Sequence, residues 1–207
     1  MKRIDILPDD VLLEMFDFYL KMYPFYEEKT DVEAWQLLVH VCQRWRSLVL
    51  GSPRRLNLQL YCTPNTPAKD TLDVWPALPL IIKGSMSTSP DTDNIIAALG
   101  QSNRVRQVGL HVGDQELEEV LAVMQVPFPG MTRMKLMSID GTVVIPDSFL
   151  GGSAPRLQYF ELLGIPFLGL PKLLLSAANL VSLWLPDIPI VQPQNTCPRI
   201  PTPYFSL

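Results

Sequence analysis

The sequence predicts a mixed protein of helices and strands, of the α+β or α/β class, in which an N-terminal helical module precedes a short, irregular solenoid of strand–helix units. Three observations lead to this prediction. Apolar residues recur at helical spacing between residues 7 and 51, a strand-plus-helix pattern recurs from residue 90 onward, and 47% of the 207 residues are apolar while 18% are charged. A chain of this size and composition can bury a core of its own.

The first predicted helix begins at Pro8. Proline suits the first helical position because it lacks an N–H, and Asp9 and Asp10 then complement the helix dipole. The pattern ends at Pro24. Its apolar positions fall on one helical face, and they are Val11, Leu12, Met15, Phe16, Tyr19 and Leu20.

A second helical region is predicted from Thr30 or Asp31, both favourable N-caps, to Gly51. Its apolar positions at helical spacing are Trp35, Leu38, Val39, Cys42, Trp45 and Val49. Val41 and Leu48 extend the apolar surface beyond one helical face. The segment is therefore predicted to form two helices with a break near Cys42.

The helical module is small for an independent core. A two- or three-helix unit of about fifty residues buries too little surface to be more than marginally stable. Its two apolar stripes are each wider than one neighbouring helix covers. Part of this surface is therefore expected to be completed by another protein chain or by the rest of this one.

Two short segments of the module together resemble the F-box motif. Leu7-Pro8 with a carboxylate at Asp9 or Asp10 leads into Val11-Leu12-x-x-Met15-Phe16-x-x-Tyr19-Leu20, and Val41-Cys42-x-x-Trp45-Arg46 follows about twenty residues later. The order and spacing make the resemblance specific over about residues 4 to 50. One departure is the segment between the halves, KMYPFYEEKTDVEAW, which is longer than in the compact form of the motif.

The resemblance implies two partners. F-box proteins are substrate receptors of cullin-RING ubiquitin ligases, and the motif docks onto a Skp-type adaptor that leads to a cullin. The residues that the resemblance assigns to the adaptor are Leu7, Pro8, Val11, Leu12, Met15, Phe16, Val41, Cys42 and Trp45. The alternative for each is a place in an internal core, and it applies to Phe16 and Trp45 as readily as partner contact does.

Four later segments share one pattern of apolar spacing. They are Val105-x-x-Val108-x-Leu110, Met131-x-x-Met134-x-Leu136, Leu157-x-x-Phe160-x-Leu162 and Leu180-x-x-Leu183-x-Leu185, separated by 26, 26 and 23 residues. This pattern and period are typical of leucine-rich repeats, whose strand-plus-helix units stack into a curved solenoid. An ordinary α/β sheet is the alternative.

The segments around these patterns agree with that interpretation. Three are predicted helices: PDTDNIIAALG, DQELEEVLAVMQ and LPKLLLSAANL. PDSFLGG is long enough for only a short turn of helix. Upstream, RRLNLQLYC and ALPLIIKG are predicted to form an irregular first strand pair, with the Pro- and Thr-rich TPNTPAKDT as a loop between them.

These assignments divide the chain into four parts. Residues 1–52 form the F-box-like helical module, residues 53–90 an irregular linker with extended strands, and residues 91–188 the leucine-rich-repeat-like solenoid. Residues 189–207 are a Pro-rich tail predicted to be poorly ordered.

An F-box followed by leucine-rich repeats is a known arrangement, in which the repeats capture the protein to be ubiquitinated. The candidate contacts with this unidentified protein substrate are strand residues of the predicted concave surface: Arg106, Arg133, Gln158 and Trp184. These four residues form no pattern that indicates which ligand they would bind. An exposed tryptophan at position 184 would be the strongest anchor, although a terminal-repeat residue could equally be core.

Composition limits the other classes of partner. A net charge of −4 gives no general attraction to nucleic acid. The longest uncharged apolar segment, Leu173 to Pro186, is shorter than a bilayer span, so no membrane contact is predicted. Three cysteines at wide spacings indicate reduced thiols and hence a cytoplasmic or nuclear location.

No catalytic, cofactor or metal site is predicted. His40 and Cys42 lie two positions apart on a helix and face different directions, and the sequence contains no P-loop, dinucleotide-binding or nucleophile-elbow pattern. The resemblance implies a non-catalytic receptor that contributes proximity. The alternatives are a leucine-rich interaction scaffold whose N-terminal helices only cap the solenoid, and a small α/β enzyme.

Overall fold

A computed structural model describes residues 7–22, 34–86, 92–138, 143–167 and 170–186 of the chain. The helices in this part are α1 (Asp9–Met22), α2 (Ala34–Val39), α3 (Gln43–Gly51), α4 (Ala68–Val74), α5 (Thr92–Leu99), α6 (Asp114–Val123) and α7 (Leu170–Ser176). The strands are β1 (Leu60–Cys62), β2 (Leu80–Met86), β3 (Val105–Val112), β4 (Arg133–Ser138), β5 (Tyr159–Leu163) and β6 (Ser182–Trp184).

The N-terminal helices lie where the sequence predicts them, but the predicted single apolar face of α1 is wrong, because Val11 and Met15 are exposed and Leu13 is buried instead. Helix α1 starts directly after Pro8 and has Asp9 and Asp10 in its first turn. The second helical region is broken where the sequence predicts, because Cys42 is extended (φ −160°, ψ 169°) between α2 and α3. Helix α3 ends at Gly51 as expected. The predicted N-caps at positions 30 and 31 lie outside the described residues.

The six strands form one parallel sheet whose strand order follows the chain, from β1 to β6. The prediction of a mixed α/β protein is therefore confirmed. Parallel neighbours need a crossover between them, and α4, α5, α6 and α7 lie in four of the five crossovers. The β4–β5 crossover contains a short 3₁₀ turn, Phe149–Gly152, as the PDSFLGG segment predicts.

The repeated apolar positions occupy matching places on neighbouring strands. Val108, Met134, Phe160 and Leu183 are register partners from β3 to β6. Leu110, Leu136 and Leu162 form a second such row. Except for the half-exposed Leu183, these side chains are buried, and α6 covers the same core with Leu117, Val120 and Leu121. Each unit thus contributes an equivalent layer of the interior.

The structure also corrects the predicted loop between the first two strands. Residues 68–71, assigned to a loop, lie in α4. Ala68 is fully buried, and its N–H donates to the side-chain oxygen of Asn94. The side-chain NH₂ of Asn94 donates in turn to the carbonyl of Pro64 at 2.8 Å. Tertiary contacts with α5 therefore stabilise a helix in a segment whose prolines and threonines indicate a loop.

The sheet extends further toward the N-terminus than residue 91. Strands β1 and β2 pair in parallel, from Leu60 opposite Leu80 to Cys62 opposite Ile82. This confirms the predicted first strand pair. Strand β2 continues the pairing to β3. Residues 53–90 therefore contain regular elements that belong to the same sheet.

The N-terminal helices pack against the start of the sheet. The indole N–H of Trp35 on α2 donates to the carbonyl of Gln59 at 2.9 Å, directly before β1. The ring of Trp75, which follows α4, meets Trp35 edge to face with centroids 4.9 Å apart. Buried residues of the helices and of the sheet form one continuous apolar core.

The packing of α7 against the core can be tested with two substitutions on this helix. Leu173→Ala should lower the free energy of unfolding by roughly 2–5 kcal/mol, because it leaves a cavity in the core. Leu175→Ala on the same helix should change it by no more than about 0.5 kcal/mol. Leu173 is 2% exposed and Leu175 is 88% exposed, so the pair differs mainly in burial. Urea denaturation followed by circular dichroism measures both values, and equal losses would contradict this placement of α7.

Candidate functional site

The two halves of the F-box-like pattern meet in space although they are 35 residues apart. The guanidinium of Arg44, in the first turn of α3, donates to the backbone carbonyl of Leu7 and pairs with the carboxylate of Asp9 at 2.6 Å. About two turns further along α1, the ring of Phe16 packs against that of Trp45, the residue after Arg44, with centroids 4.7 Å apart. The start of α1 and the start of α3 therefore form one continuous surface.

Helix α1 has two apolar stripes. The first consists of Leu12, Leu13 and Phe16, which are buried in the core. The second faces away from it and is between 40% and 65% exposed. Its members recur at i, i+4, i+7 and i+11, and they are Val11, Met15, Phe18 and Met22. We call this second set the outer stripe.

The nine residues that the resemblance assigns to an adaptor fall into three groups. Leu12 and Phe16 are buried within the chain, so they support the helix from inside. Leu7 and Trp45 are partly buried. The accessible residues are Pro8, Val11, Met15, Val41 and Cys42.

The turn between α2 and α3 adds to the accessible apolar surface. Val41 is 60% exposed, and the Cys42 thiol beside it is free and exposed. Arg46 donates to the carbonyl of Val39 at 3.0 Å, which holds the end of α2 against α3. The position of this turn is thus fixed from both sides, by Arg46 and by the contacts of Arg44 with α1.

A second candidate surface is the face of the sheet that carries polar side chains. Its central row runs across five strands in register and consists of Lys83, Gly109, Lys135, Glu161 and Trp184. Lys135 pairs with Glu161 at 2.6 Å, and that carboxylate oxygen is buried. In the neighbouring row, Arg133 lies over the ring of Tyr159 at 4.5 Å.

A pocket of about 270 Å³ opens on this face at Gly109. Its lining includes Lys83, Gln107, Gly109, His111, Arg133 and Lys135. A Cβ atom at Gly109 would meet only the Cγ of Lys83, at 3.9 Å, so the missing side chain leaves open space between the flanking lysines. We call this site the Gly109 pocket.

The four predicted substrate contacts do not form one cluster. Arg133 lines the Gly109 pocket. Arg106 instead donates to the carbonyl of Gly130 at 3.1 Å and so ties β3 to the loop before β4. Gln158 is exposed directly before β5, and Trp184 is exposed on β6. Trp184 therefore lies on the surface and not in the core.

Sequence reasoning missed Lys83 and His111 as members of the pocket. Lys83 follows the apolar run of ALPLIIKG, and aligning that run with the later strands would have placed it opposite Gly109. His111 continues the alternation of β3 beyond Leu110. The signal for both was the strand period of two, extended past the repeated pattern.

Other features bear on the remaining function classes. Among the described residues, no group of three or more His, Cys, Asp or Glu side chains has the geometry to hold a metal ion. Burial lowers the pKa of Arg104, and its Coulombic interaction with Cys62 opposes this shift. Arg104 donates to the carbonyls of Leu78 and Pro76, which is a structural role. No helix in the described ranges combines the length and apolar character that crossing a bilayer requires.

Comparison of the chain with protein-family models, with curated proteins and with solved structures found no match. The F-box resemblance therefore rests on the residues quoted above and on their arrangement.

The contact made by Arg44 can be tested by stability measurements. Arg44→Met should lower the free energy of unfolding by roughly 1–2 kcal/mol, because it removes the hydrogen bond to Leu7 and a solvent-screened ion pair. A double-mutant cycle with Asp9→Asn should give a coupling of about 0.2–1 kcal/mol. Lys21→Met, which removes the Lys21–Asp17 pair within α1, is the control. An Arg44→Met loss no larger than that of the control would show that Arg44 does not join the two helices.

Proposed function

We propose that this chain is a non-catalytic substrate receptor of an SCF-type ubiquitin ligase. In this proposal the outer stripe of α1 and the α2–α3 turn bind a Skp-type adaptor, and the face of the sheet around the Gly109 pocket binds a protein substrate. The observation that carries the proposal is the exposed apolar surface within the segment that resembles an F-box.

The outer stripe supports an interface because of where its apolar residues lie. A surface helix usually presents polar residues to water on the face opposite its buried one. Helix α1 presents four large apolar side chains on its exposed side as well. Covering a fully exposed side chain of this kind contributes about 1.5–3 kcal/mol, so even partial burial of the stripe by a partner yields several kcal/mol. Contiguous exposed apolar surface is typical of protein interaction sites.

The arrangement of the two motif halves also supports the proposal. Arg44 and the Phe16–Trp45 contact bring the exposed turn at Val41 and Cys42 to the same end of the module as Pro8. A partner that recognises both halves would therefore meet one preformed surface. Preformed surfaces lose less conformational entropy on binding than flexible segments do.

The leucine-rich-repeat interpretation of the sheet belongs to the same proposal. Strand order that follows the chain, parallel pairing throughout, and matching apolar rows at a period of 26 residues support a stack of equivalent units. In such a stack the sheet face is a broad surface suited to protein ligands.

A second candidate function is a leucine-rich interaction scaffold whose N-terminal helices only cap the sheet. The specific observation in its favour is the packing of α2 on the first strand, through the Trp35 hydrogen bond to Gln59 and the contact of Trp35 with Trp75. This packing is compatible with both candidates, because α2 can hold the sheet while α1 presents its outer stripe.

Adaptor binding tests the proposal directly. Met15→Asp combined with Val41→Asp should reduce copurification of a Skp-type adaptor with the full chain by at least tenfold, because charges would replace apolar contacts in the interface. Both side chains are exposed, so the thermal midpoint should stay within about 2 °C. Leu175→Asp on α7 is the matched control, since it places the same charge at an exposed leucine distant in sequence.

The same experiment separates the two candidates. Undiminished adaptor recovery with the double variant would overturn the receptor proposal. If no adaptor is recovered with the unaltered chain, the scaffold becomes the better explanation. Trp35→Leu should then lower the thermal midpoint without altering which proteins copurify with the chain, because Trp35 only joins the helices to the sheet.

A further inference from the structure

We infer that the Gly109 pocket receives an anionic side chain of an extended protein segment lying across the face of the sheet. The anionic group is a carboxylate or a phosphate. That the segment belongs to the captured substrate rests on the proposed function, whereas the charge preference of the pocket rests on its own geometry.

The position of the pocket follows from the register of three strands. Lys83, Gly109 and Lys135 are direct neighbours on β2, β3 and β4. Adjacent strands lie about 4.8 Å apart, so the two lysine Cα atoms are about 10 Å apart with only a glycine between them. A side chain at position 109 would fill this gap. Its absence leaves a space between the aliphatic stems of the two lysines, whose ammonium groups contact Tyr61 and Glu161 on the flanking strands.

The charges of the site favour an anion. Lys83, Arg133 and Lys135 line the pocket. Within the described part of the chain, the acidic group that pairs with one of them is Glu161, on the far side of Lys135. The whole chain carries a net charge of −4, so this positive region is local and does not reflect a generally basic protein. Arg133 adds a planar guanidinium, which suits the paired oxygens of a carboxylate or phosphate.

The surroundings favour a polypeptide over a nucleic acid. Binding of single-stranded nucleic acid relies on aromatic faces that are open for base stacking. Here Lys83 lies 5.2 Å from the centre of the Tyr61 ring, and Arg133 lies over Tyr159. These two aromatic rings are therefore already engaged by cations. The row continues from Lys135 through Glu161 to the exposed Trp184, which gives an elongated ligand a second contact.

Glu161 acts within this arrangement as an internal competitor. Its carboxylate holds Lys135 at 2.6 Å, and an incoming anion would share that ammonium group. Removing the charge of Glu161 while keeping its shape should therefore strengthen anion binding. A merely structural role for the Lys135–Glu161 pair predicts no such gain.

The test measures binding of fluorescent peptides to the full chain by anisotropy. The peptides have degenerate flanking positions and one fixed central residue, which is glutamate, phosphoserine or glutamine. We expect at least one of the two anionic pools, glutamate or phosphoserine, to bind at least tenfold more tightly than the glutamine pool. This difference in affinity should shrink as the salt concentration is raised. Comparison of the two anionic pools identifies the carboxylate or the phosphate as the preferred group.

Three variants assign the effect to the pocket. Gly109→Val fills the space without a close contact in the backbone and should abolish the preference for anionic peptides. Lys83→Gln should weaken anionic binding by about tenfold, whereas Lys69→Gln, an equal loss of charge on the exposed side of α4, should not. Glu161→Gln should strengthen it. Thermal denaturation of Gly109→Val verifies that the fold is kept.

Equal binding of the three pools, or a preference that survives Gly109→Val, would overturn the inference. Tighter binding of a single-stranded oligonucleotide than of any peptide pool would overturn it as well, in favour of nucleic acid. Competition by inorganic phosphate alone, without any peptide preference, would reduce the site to a small-anion pocket and reject the peptide ligand. Adaptor recovery is measured separately, so failure of the receptor proposal would leave these results interpretable.

Discussion

The register of the parallel sheet is the constraint on which the polar face of the sheet and its Gly109 pocket depend. Val108, Met134 and Phe160 align because each enters the same apolar interior. Side chains alternate between the two faces of a strand, so fixing the buried rows also fixes the outward ones. A slip of one residue would bury charged side chains. The row that contains Lys83, Gly109 and Lys135 is therefore a consequence of core packing, although none of its members belongs to the core.

The N-terminal helices use the same interior in a different way. Helix α1 places Leu12 and Phe16 inward, and this leaves its outer stripe on the surface. Burial on the inner side holds the helix in place, while Arg44 fixes its start relative to α3. The chain itself covers the outer stripe only in part. In the proposed receptor, the remaining exposed part of the stripe is the surface that the adaptor covers.

The sequence anticipated the elements whose patterns are local and periodic. The helix at Asp114–Val123, the helix break near Cys42 and the strands at the repeated apolar segments each follow from spacing alone. Helix α4 was missed because its stability comes from Asn94 and the buried Ala68, contacts that composition does not reveal. The pocket was missed for a related reason. It arises from a glycine between two lysines on separate strands, and that relation exists only once the register is known.

The shared core joins the N-terminal helices, which carry the first candidate surface, to the sheet, which carries the second. Trp35 hydrogen-bonds to the residue before β1 and packs against Trp75, so the F-box-like helices join the sheet through buried contacts. Sites built on packed helices and strands keep their geometry better than sites carried on loops. In the proposed receptor, a substrate held at the Gly109 pocket would therefore sit at a defined distance from the adaptor. Such an arrangement raises the effective concentration of the substrate near the catalytic subunits, which is the contribution expected of a protein that performs no chemistry itself.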